Sequence, residues 1–476
     1  MSKFKVGLVG CSQHSFPGDK KAQFSRSASE LAALSKEYDY DLYVYPESVI
    51  TEADAEKAVV ACEDNLVDFI MLQCTSFSAG FVVPVIAKAK AMGLGLWAIP
   101  EGVEDGVVPF NSFCSINMYA GILGHYVNEP KLTAKWFFGN KGDPQFDQRY
   151  AITIRALSAL KKLYNSKVAL VGGVAPGFND LLFDEQKLLA LFPGLKLNRL
   201  HEFEELSSLA MSFDSDTVDK AVKELASQAV CINPKAGPVM ETNARFQLAY
   251  RRFVEDNGYD GLAVSCWPKF QSQFKFSVCS VLAGLNEEGT IASCEGDVVS
   301  AVCMLLLKYL SNDATTLMDL VAYDTKDESI LLWHCGPSPR QFCNSYNLDL
   351  NYSGAPHEFG MSNPTGLGVT RDMVFKPGRA TIFRLDAALD RNLIISGNFM
   401  DGKKKSVTGS RGWMGNLMLG DEKIGALDMT NTLLSKQFPH HYPVVYGDYT
   451  SELMELTAWL GLGLVERVDY REYLQR

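Results

Sequence analysis

The stretch Lys5-Val6-Gly7-Leu8-Val9 decides the fold, because it is a short apolar strand followed by a long amphipathic helix. The helix is predicted over Ala22–Tyr38, and a second strand is predicted over Asp41–Tyr45. A strand, a helix and a strand in that order form a unit whose two strands lie parallel in one sheet. Such sheets bind their ligands beyond the carboxyl ends of the strands.

The same alternation continues outward from this unit. Further helices and strands are predicted over Glu52–Cys62, Asp68–Leu72, Val82–Ala91 and Gly95–Ile99. Gly139–Pro144 is a turn-rich break, and a strong new strand begins at Lys167–Val171. We therefore predict one α/β domain over residues 1–165 and a second over residues 166–345.

The character of the sequence changes near residue 345. Glycine, proline, asparagine and threonine become frequent, and a closing helix is predicted over Ser451–Leu460. Short apolar segments alternate before it, at Ala380–Leu385, Leu393–Ser396, Lys423–Leu427 and Val444–Val445. The predicted fold class is α/β, with two doubly wound parallel-sheet domains followed by a β-rich C-terminal domain over residues 346–476.

Composition excludes several classes of protein. The 476-residue chain is too long for one core, and its net charge of −11 argues against a nucleic-acid partner. No apolar run is long enough to span a bilayer, and no signal peptide precedes Val6–Gly10, so no membrane association is expected. The 11 cysteines are scattered without a CxxC pair, which predicts reduced thiols in a cytoplasmic protein. Gly172–Gly177 lacks the G-x-G-x-x-G spacing, so no dinucleotide is predicted.

Two distant segments carry candidate ligands for a cation. Ser293-Cys294-Glu295-Gly296-Asp297 offers two carboxylates at the junction between a short strand and the helix predicted over Val298–Leu310. Phe438-Pro439-His440-His441-Tyr442 offers two imidazoles. Carboxylate and neutral imidazole form an oxygen and nitrogen ligand set suited to Mn²⁺, Mg²⁺, Co²⁺ or Zn²⁺.

Each segment also has an ordinary structural interpretation. Asp297 can cap the following helix while Glu295 is solvated, or one carboxylate can ligate while the other orients or caps. Adjacent histidines in an extended segment point to opposite sides, so we expect one of His440 and His441 to ligate and the other to support it or face solvent.

Other polar residues are candidates for a substrate pocket. Trp267, Lys269 and Gln271 follow an apolar strand, although a packed tryptophan beside a solvated lysine is the plainer interpretation. His334 ends a strand before Gly336-Pro337 and is a candidate substrate partner or a core histidine bonded to a backbone carbonyl. Arg411 is expected in a surface turn, where it is available to a substrate.

The ordered set of motifs resembles the L-fucose/L-arabinose isomerase family, and within it the fucose-isomerase-like branch. The motifs that carry the resemblance are Leu96–Glu101, Asn111–Asn117, Ala263–Pro268, Cys294–Asp297, Trp333–Gly336, Phe375–Gly378, Phe383–Leu385, His440–Tyr442 and Tyr446–Asp448. They extend over nearly the whole chain, and their order is more specific than any one of them.

The resemblance implies an aldose–ketose isomerase that works through a cis-enediol with a divalent metal, first of all Mn²⁺. It also implies a homo-oligomer, commonly a hexamer, with active sites between subunits and a small-molecule sugar as substrate. Carried over by residue, the acidic ligand is Glu295 or Asp297, and the histidine ligand is His441, with His440 second and otherwise a substrate-binding residue. Glu295, Asp297 and Lys269 are the candidate catalytic groups.

One departure from the family pattern concerns charge. The family has a further glutamate near the end of the strand before Trp267, but Cys266–Lys275 contains no acidic residue. Lys269, Lys275 and Arg411 would instead give the pocket positive character, which favours a sugar carrying a carboxylate, phosphate or sulfonate. The alternative is a sugar-binding or regulatory protein that kept the fold and lost catalysis.

Overall fold

A computed structural model describes residues 3–102, 105–126, 134–200, 203–274, 276–344, 349–352, 367–401, 403 and 407–473, without the side chains of 269, 349–352 and 367. The chain divides into two compact units. Unit 1 comprises Met1–Lys161 with Glu455–Gly461, and unit 2 comprises Lys162–Met454 with Leu462–Arg476. The three-domain division with boundaries at 165 and 345 stays a prediction.

Unit 1 contains a five-stranded parallel sheet whose first strand is the stretch that opens the chain. In spatial order, the strands are Asp41–Val49, Lys5–Cys11, Phe69–Cys74, Gly93–Ala98 and Ala134–Phe138. The main helices are Lys20–Glu37, Glu52–Asp64, Val82–Ile86, Ser112–Tyr126 and Pro144–Tyr164. The middle strand Phe69–Cys74 is buried along its whole length, as expected of a parallel strand covered by helices on both faces.

Unit 2 begins with a second parallel sheet of four strands. In spatial order they are Lys196–Leu200, Lys167–Val171, Gly261–Val264 and Ile291–Ser293. The helices of this part include Glu185–Leu191, Glu204–Ser212, Ser215–Ser227, Met240–Asn257, Cys279–Glu288 and Val298–Ser311. The segments that follow Val264 and Ser293 leave the sheet at the carboxyl ends of neighbouring strands, where ligands of such sheets bind.

The rest of unit 2 is built around a closed antiparallel barrel. Its six strands, each paired with the next and the last with the first, are Thr315–Asp324, Ser329–His334, Ser410–Leu419, Arg391–Phe399, Gly378–Leu385 and His441–Tyr446. Buried apolar side chains fill it, among them Met318, Leu332, Ile382, Ile395 and Met414. Closure removes the exposed strand edges that an open sheet would present.

The predicted fold class is confirmed: two parallel sheets with helices and a β-rich C-terminal part. Lys423–Leu427, predicted as a strand-like segment, instead ends a two-residue strand and begins the helix Ala426–Ser435. Ala426, Met429 and Leu433 recur at helical spacing and are all buried, which explains the difference. In the described parts of the chain, no helix is long and apolar enough to cross a membrane.

Candidate functional site

A tight turn at the carboxyl end of Ile291–Ser293 places the two predicted carboxylates. Glu295 has a left-handed backbone with φ of 59°, and Gly296 follows with φ of 72°. A Cβ on Gly296 would lie 2.2 Å from the backbone oxygen of Gly173, so only glycine fits there without a shift of the backbone. The turn lets Asp297 cap the next helix while Glu295 points elsewhere.

Asp297 is fully buried, and both of its carboxylate oxygens are occupied. Its Oδ1 accepts hydrogen bonds from the backbone N–H of Ser300 at 2.8 Å and from the buried guanidinium of Arg384 at 3.2 Å. Its Oδ2 lies 3.0 Å from Nδ1 of His441. Burial alone would raise the pKa of Asp297, but Arg384 and His441 outweigh it and hold that pKa well below its ordinary value. Asp297 therefore caps the helix and orients His441.

Both histidines of the pair direct Nε2 toward Glu295. Nε2 of His441 and Nε2 of His440 each lie 3.3 Å from the Oε2 of Glu295. Nδ1 of His440 lies 2.7 Å from Oδ2 of Asp180, just as Nδ1 of His441 lies on Asp297. Each imidazole is thus held by a carboxylate on one nitrogen and presents the other nitrogen to the same glutamate.

The shared direction of the two imidazoles differs from the expectation that they point to opposite sides. Their ring centroids are only 4.1 Å apart. The alternation of side chains applies within a strand, but the barrel strand begins at His441, and His440 lies in the bend before it. The structure therefore brings Glu295, His440 and His441 together, and the meeting of carboxylate and imidazole predicted from two distant segments is present.

The charged groups of this cluster shift one another's pKa values. Burial opposes ionisation of Glu295, yet the adjacent His440 and His441 lower its pKa to about 2. Burial likewise disfavours a charged His441, yet Asp297 and Glu295 raise its pKa to about 10. Inside the cluster, the negative charges of Glu295 and Asp297 therefore face the positive side chains of Arg384 and the histidine pair.

A second group shares His441 and adds residues from two neighbouring barrel strands. Asp319 lies opposite both His441 and Trp333 in the strand register, and His334 follows Trp333. The backbone N–H of Cys335 donates to Nδ1 of His334 at 2.8 Å, so the single proton of a neutral His334 is on Nε2. Burial lowers the pKa of His334, which favours this neutral form.

Glu295, His440 and His441 fit a divalent cation, whereas His334 carries its proton on Nε2 and has no free ring lone pair for one. In each of two groups, Glu295, His440 and His441, or Asp319, His334 and His441, the potential ligand atoms lie within 4.8 Å of one another. Nε2 of His441 is buried, and its 3.3 Å contact with Oε2 of Glu295 lacks hydrogen-bond geometry, so this nitrogen is available to a ligand. Imidazoles held by carboxylates through Nδ1 are the usual arrangement around a metal. Asp297 stands in neither group.

The remaining candidate residues are placed as follows. Trp267 is half-buried, and its ring lies 5.8 Å from that of Phe178, which in turn lies 5.6 Å from the ring of His440. Gln271 is buried and its amide nitrogen lies 3.3 Å from the hydroxyl of Ser277. The side chain of Lys269 and the whole of Lys275 lie outside the described residues.

Arg411 is not in a surface turn, and that expectation was wrong. It lies on the barrel strand Ser410–Leu419, is 7% exposed, and forms an ion pair with Asp372. Its guanidinium also donates to the backbone oxygen of Gly409 at 2.5 Å. The apolar interior of the closed barrel draws this segment into the sheet, so Arg411 is bound inside the protein.

Asp319 and Asp180 are two further residues of the cluster that the sequence does not mark as candidates. No motif surrounds either residue, and the only local signal at Asp319 is a charged residue inside an apolar strand, Thr315–Asp324. Their relevance comes from pairing with His441 and His440, which lie far away in the sequence.

The relatives of this chain include isomerases. The chain is 25% identical over 424 residues to a sulfoquinovose isomerase of Priestia megaterium (strain ATCC 12872 / QMB1551), covering 88% of this chain and 90% of the relative. It is 28% identical over 372 residues to a sulfoquinovose isomerase of Clostridium sp. (strain MSTE9), covering 77% and 79%. A third sulfoquinovose isomerase, of Alkalicoccus urumqiensis, is 23% identical over 424 residues, covering 88% and 91%.

Other comparisons add little. No protein-family profile matches the chain. A solute binding protein of an ABC transporter from Agrobacterium vitis, bound with alpha-D-tagatopyranose, is 13% identical, covers 66% of this chain and 90% of its own, and has a TM-score of 0.18. With so low a TM-score, the match supports no conclusion about the fold or function of this chain. Relationship to isomerases is thus supported over most of the chain, and the fucose/arabinose isomerase branch stays a prediction.

Proposed function

We propose that this protein is an isomerase that interconverts an aldose and its ketose, and that its substrate is sulfoquinovose or a similar aldose with an anionic group at C6. The observation that carries the proposal is the convergence of Glu295, His440 and His441 at one point. That convergence occurs in a chain that aligns with sulfoquinovose isomerases over most of its length.

The proposal includes a divalent ion, Mn²⁺ first, held by Glu295 and His441 with His440 as the third ligand. When bound, such an ion polarises neighbouring oxygens of a substrate and stabilises the negative charge that develops on them. Asp297 would fix the ring of His441 so that Nε2 faces the ion, and Asp180 would do the same for His440. Glu295 would supply the negative charge of the ligand set.

The protein's own groups account for substrate orientation. Nε2–H of His334 is a buried donor without a partner in the described chain, so it can donate a hydrogen bond to a sugar hydroxyl or carbonyl oxygen. Nε1–H of Trp267 is likewise buried and unpartnered within that description. The guanidinium of Arg411 is bound to Asp372, so the proposal keeps the other two residues expected from the sequence, Lys269 and Lys275, as partners of the anionic group of the sugar.

The substrate class is tested with a panel of sugars and added Mn²⁺, read by ketose formation in NMR spectra. We expect kcat/KM for sulfoquinovose to exceed that for glucose by about a hundredfold, roughly 3 kcal/mol, because a charged group bound by lysines gives strong discrimination. Glucose 6-phosphate and glucuronate distinguish phosphate and carboxylate from sulfonate. Activity confined to neutral sugars would contradict the anionic assignment, and sugar binding without ketose formation would favour the sugar-binding alternative.

Removal of the metal provides an independent prediction. Dialysis against a chelator is expected to lower activity to about 1% or less, since an ion in this position stabilises the transition state by several kcal/mol. Addition of Mn²⁺ should restore it. His441→Gln should lose bound manganese, measured by elemental analysis, whereas Asp214→Asn, a change at an exposed helix cap far from the cluster in sequence, should keep it. Full activity of the protein after dialysis against the chelator would contradict a role for a divalent ion.

The resemblance also leads us to propose a cytoplasmic homo-oligomer, with a hexamer as the first expectation and active sites between subunits. Light scattering on the purified protein measures this directly. A monomer that is fully active would contradict the placement of the site between subunits.

A further inference from the structure

The proposed reaction needs a group that takes a proton from C2 of the sugar and returns it to C1. Most carboxylates of the cluster are already engaged. Both oxygens of Asp297 accept hydrogen bonds from neighbouring groups, and Oε2 of Glu295 lies against the two histidines. Oδ2 of Asp180 accepts both the backbone N–H and the ring of His440.

Asp319 is different. Among the carboxylate oxygens in the described chain, its Oδ1 is the one that is buried and lacks a hydrogen-bond partner. That oxygen lies 3.7 Å from Nε2 of His441, and the carboxylate of Asp319 also lies within 4.8 Å of a ring nitrogen of His334. The side chain is still 24% exposed, so the carboxylate stands at the boundary between the cluster and open space.

The barrel holds Asp319 rigidly in this position. Its strand, Thr315–Asp324, is hydrogen-bonded on one side to the strand that begins with His441 and on the other side to the strand that ends with His334. Asp319 lies directly opposite His441 across the first pairing. A carboxylate on a central strand, between two imidazoles on its neighbours, has the fixed geometry that proton transfer to carbon requires.

We propose that Asp319 is the catalytic residue that carries the proton between C2 and C1, an inference that rests on the proposed function. The carboxylate takes the C2 hydrogen as a proton, and the C2–H electron pair forms the C1–C2 double bond of an enediolate with its charge on O1. The O2 proton moves to O1, Asp319 returns its proton to C1, and C2 becomes the carbonyl carbon. C2 is oxidised and C1 reduced by the same electron pair, so no other reactant is consumed.

The test compares Asp319→Asn, which keeps the shape of the side chain, with Asp324→Asn at the end of the same strand. Asp324 pairs with Lys403 and has no contact with the two histidines among the described interactions. We expect Asp319→Asn to lower kcat by about a hundredfold or more and to abolish deuterium exchange at C2 in D₂O. Its manganese content and its affinity for the sugar should stay within about threefold of the wild type, as they would for a residue that acts only in proton transfer. Asp324→Asn should be fully active.

Other outcomes have distinct meanings. Asp319→Asn with half of the wild-type activity, or with its manganese lost, would overturn the assignment, the latter making Asp319 a metal ligand. If Asp319→Asn does not fold, as judged by its unfolding transition, Asp319→Glu decides: it keeps the carboxylate and should retain measurable C2 exchange, whereas complete loss of exchange in a folded, metal-loaded Asp319→Glu would count against the assignment. If the wild-type protein isomerises no sugar, the proposed function itself is contradicted, and the role of Asp319 falls with it.

Discussion

Glu295→Gln is expected to lower kcat/KM by about a thousandfold, roughly 4 kcal/mol of transition-state stabilisation. Glutamine keeps the shape of the side chain but removes the negative charge that faces both His440 and His441. The proposed ion would lose its acidic ligand, and the two imidazoles would lose their common partner. Steady-state kinetics with saturating Mn²⁺ and elemental analysis of the purified variant measure the two consequences together.

Glu328→Gln is the matched control for this change. Glu328 also has a left-handed backbone, with φ of 53°, and its carboxylate accepts a backbone hydrogen bond from Ala426 at 2.6 Å. It belongs to neither ligand group. We expect its activity to stay within about twofold of the wild type, as for most changes remote from a site. If Glu295→Gln were as active as this control, the site would lie elsewhere in the protein.

Asp297→Asn is expected to destabilise the protein by about 3–5 kcal/mol, because it leaves the buried Arg384 without its counter-charge. Asn can still cap the helix, so the loss reports on charge and not on the cap. The free energy of unfolding is measured in urea by circular dichroism. Asp214→Asn, at an exposed cap that accepts from Thr217, should cost less than about 1 kcal/mol.

The pH dependence of the free energy of unfolding is a second measurement of how much the ionised Asp297 stabilises the protein. Its pKa is depressed in the folded protein, so its contribution to stability is fully present above the unfolded pKa of about 4. The contribution is lost as the pH falls through the lower pKa of the folded state. The wild type should therefore lose more stability than Asp297→Asn on acidification. Parallel curves for the two proteins would contradict the ion pair as the source of the stability.

Much of the fold was predictable from local pattern. The strand Lys5–Cys11 and the helix Lys20–Glu37 follow from runs of apolar residues with the right period, and the parallel sheets follow from their alternation. The junction at Glu295 and Asp297 was also predictable, because a strand, a glycine turn and a helix are encoded by neighbouring residues. The motif resemblance added the expected role of the histidine pair.

The sequence by itself determined the class of fold and the chemical types that meet at the site, since both depend on residues close together in the chain. Tertiary structure decided which groups face one another. Asp319 stands beside His441 only because two barrel strands pair in one register, and Asp180 holds His440 only because a loop of the parallel sheet reaches it. Arg411 pairs with Asp372 because the strand Leu367–Val374 lies alongside the start of the barrel strand Ser410–Leu419. Register and closure depend on packing among residues far apart in the sequence, so no local pattern specifies them.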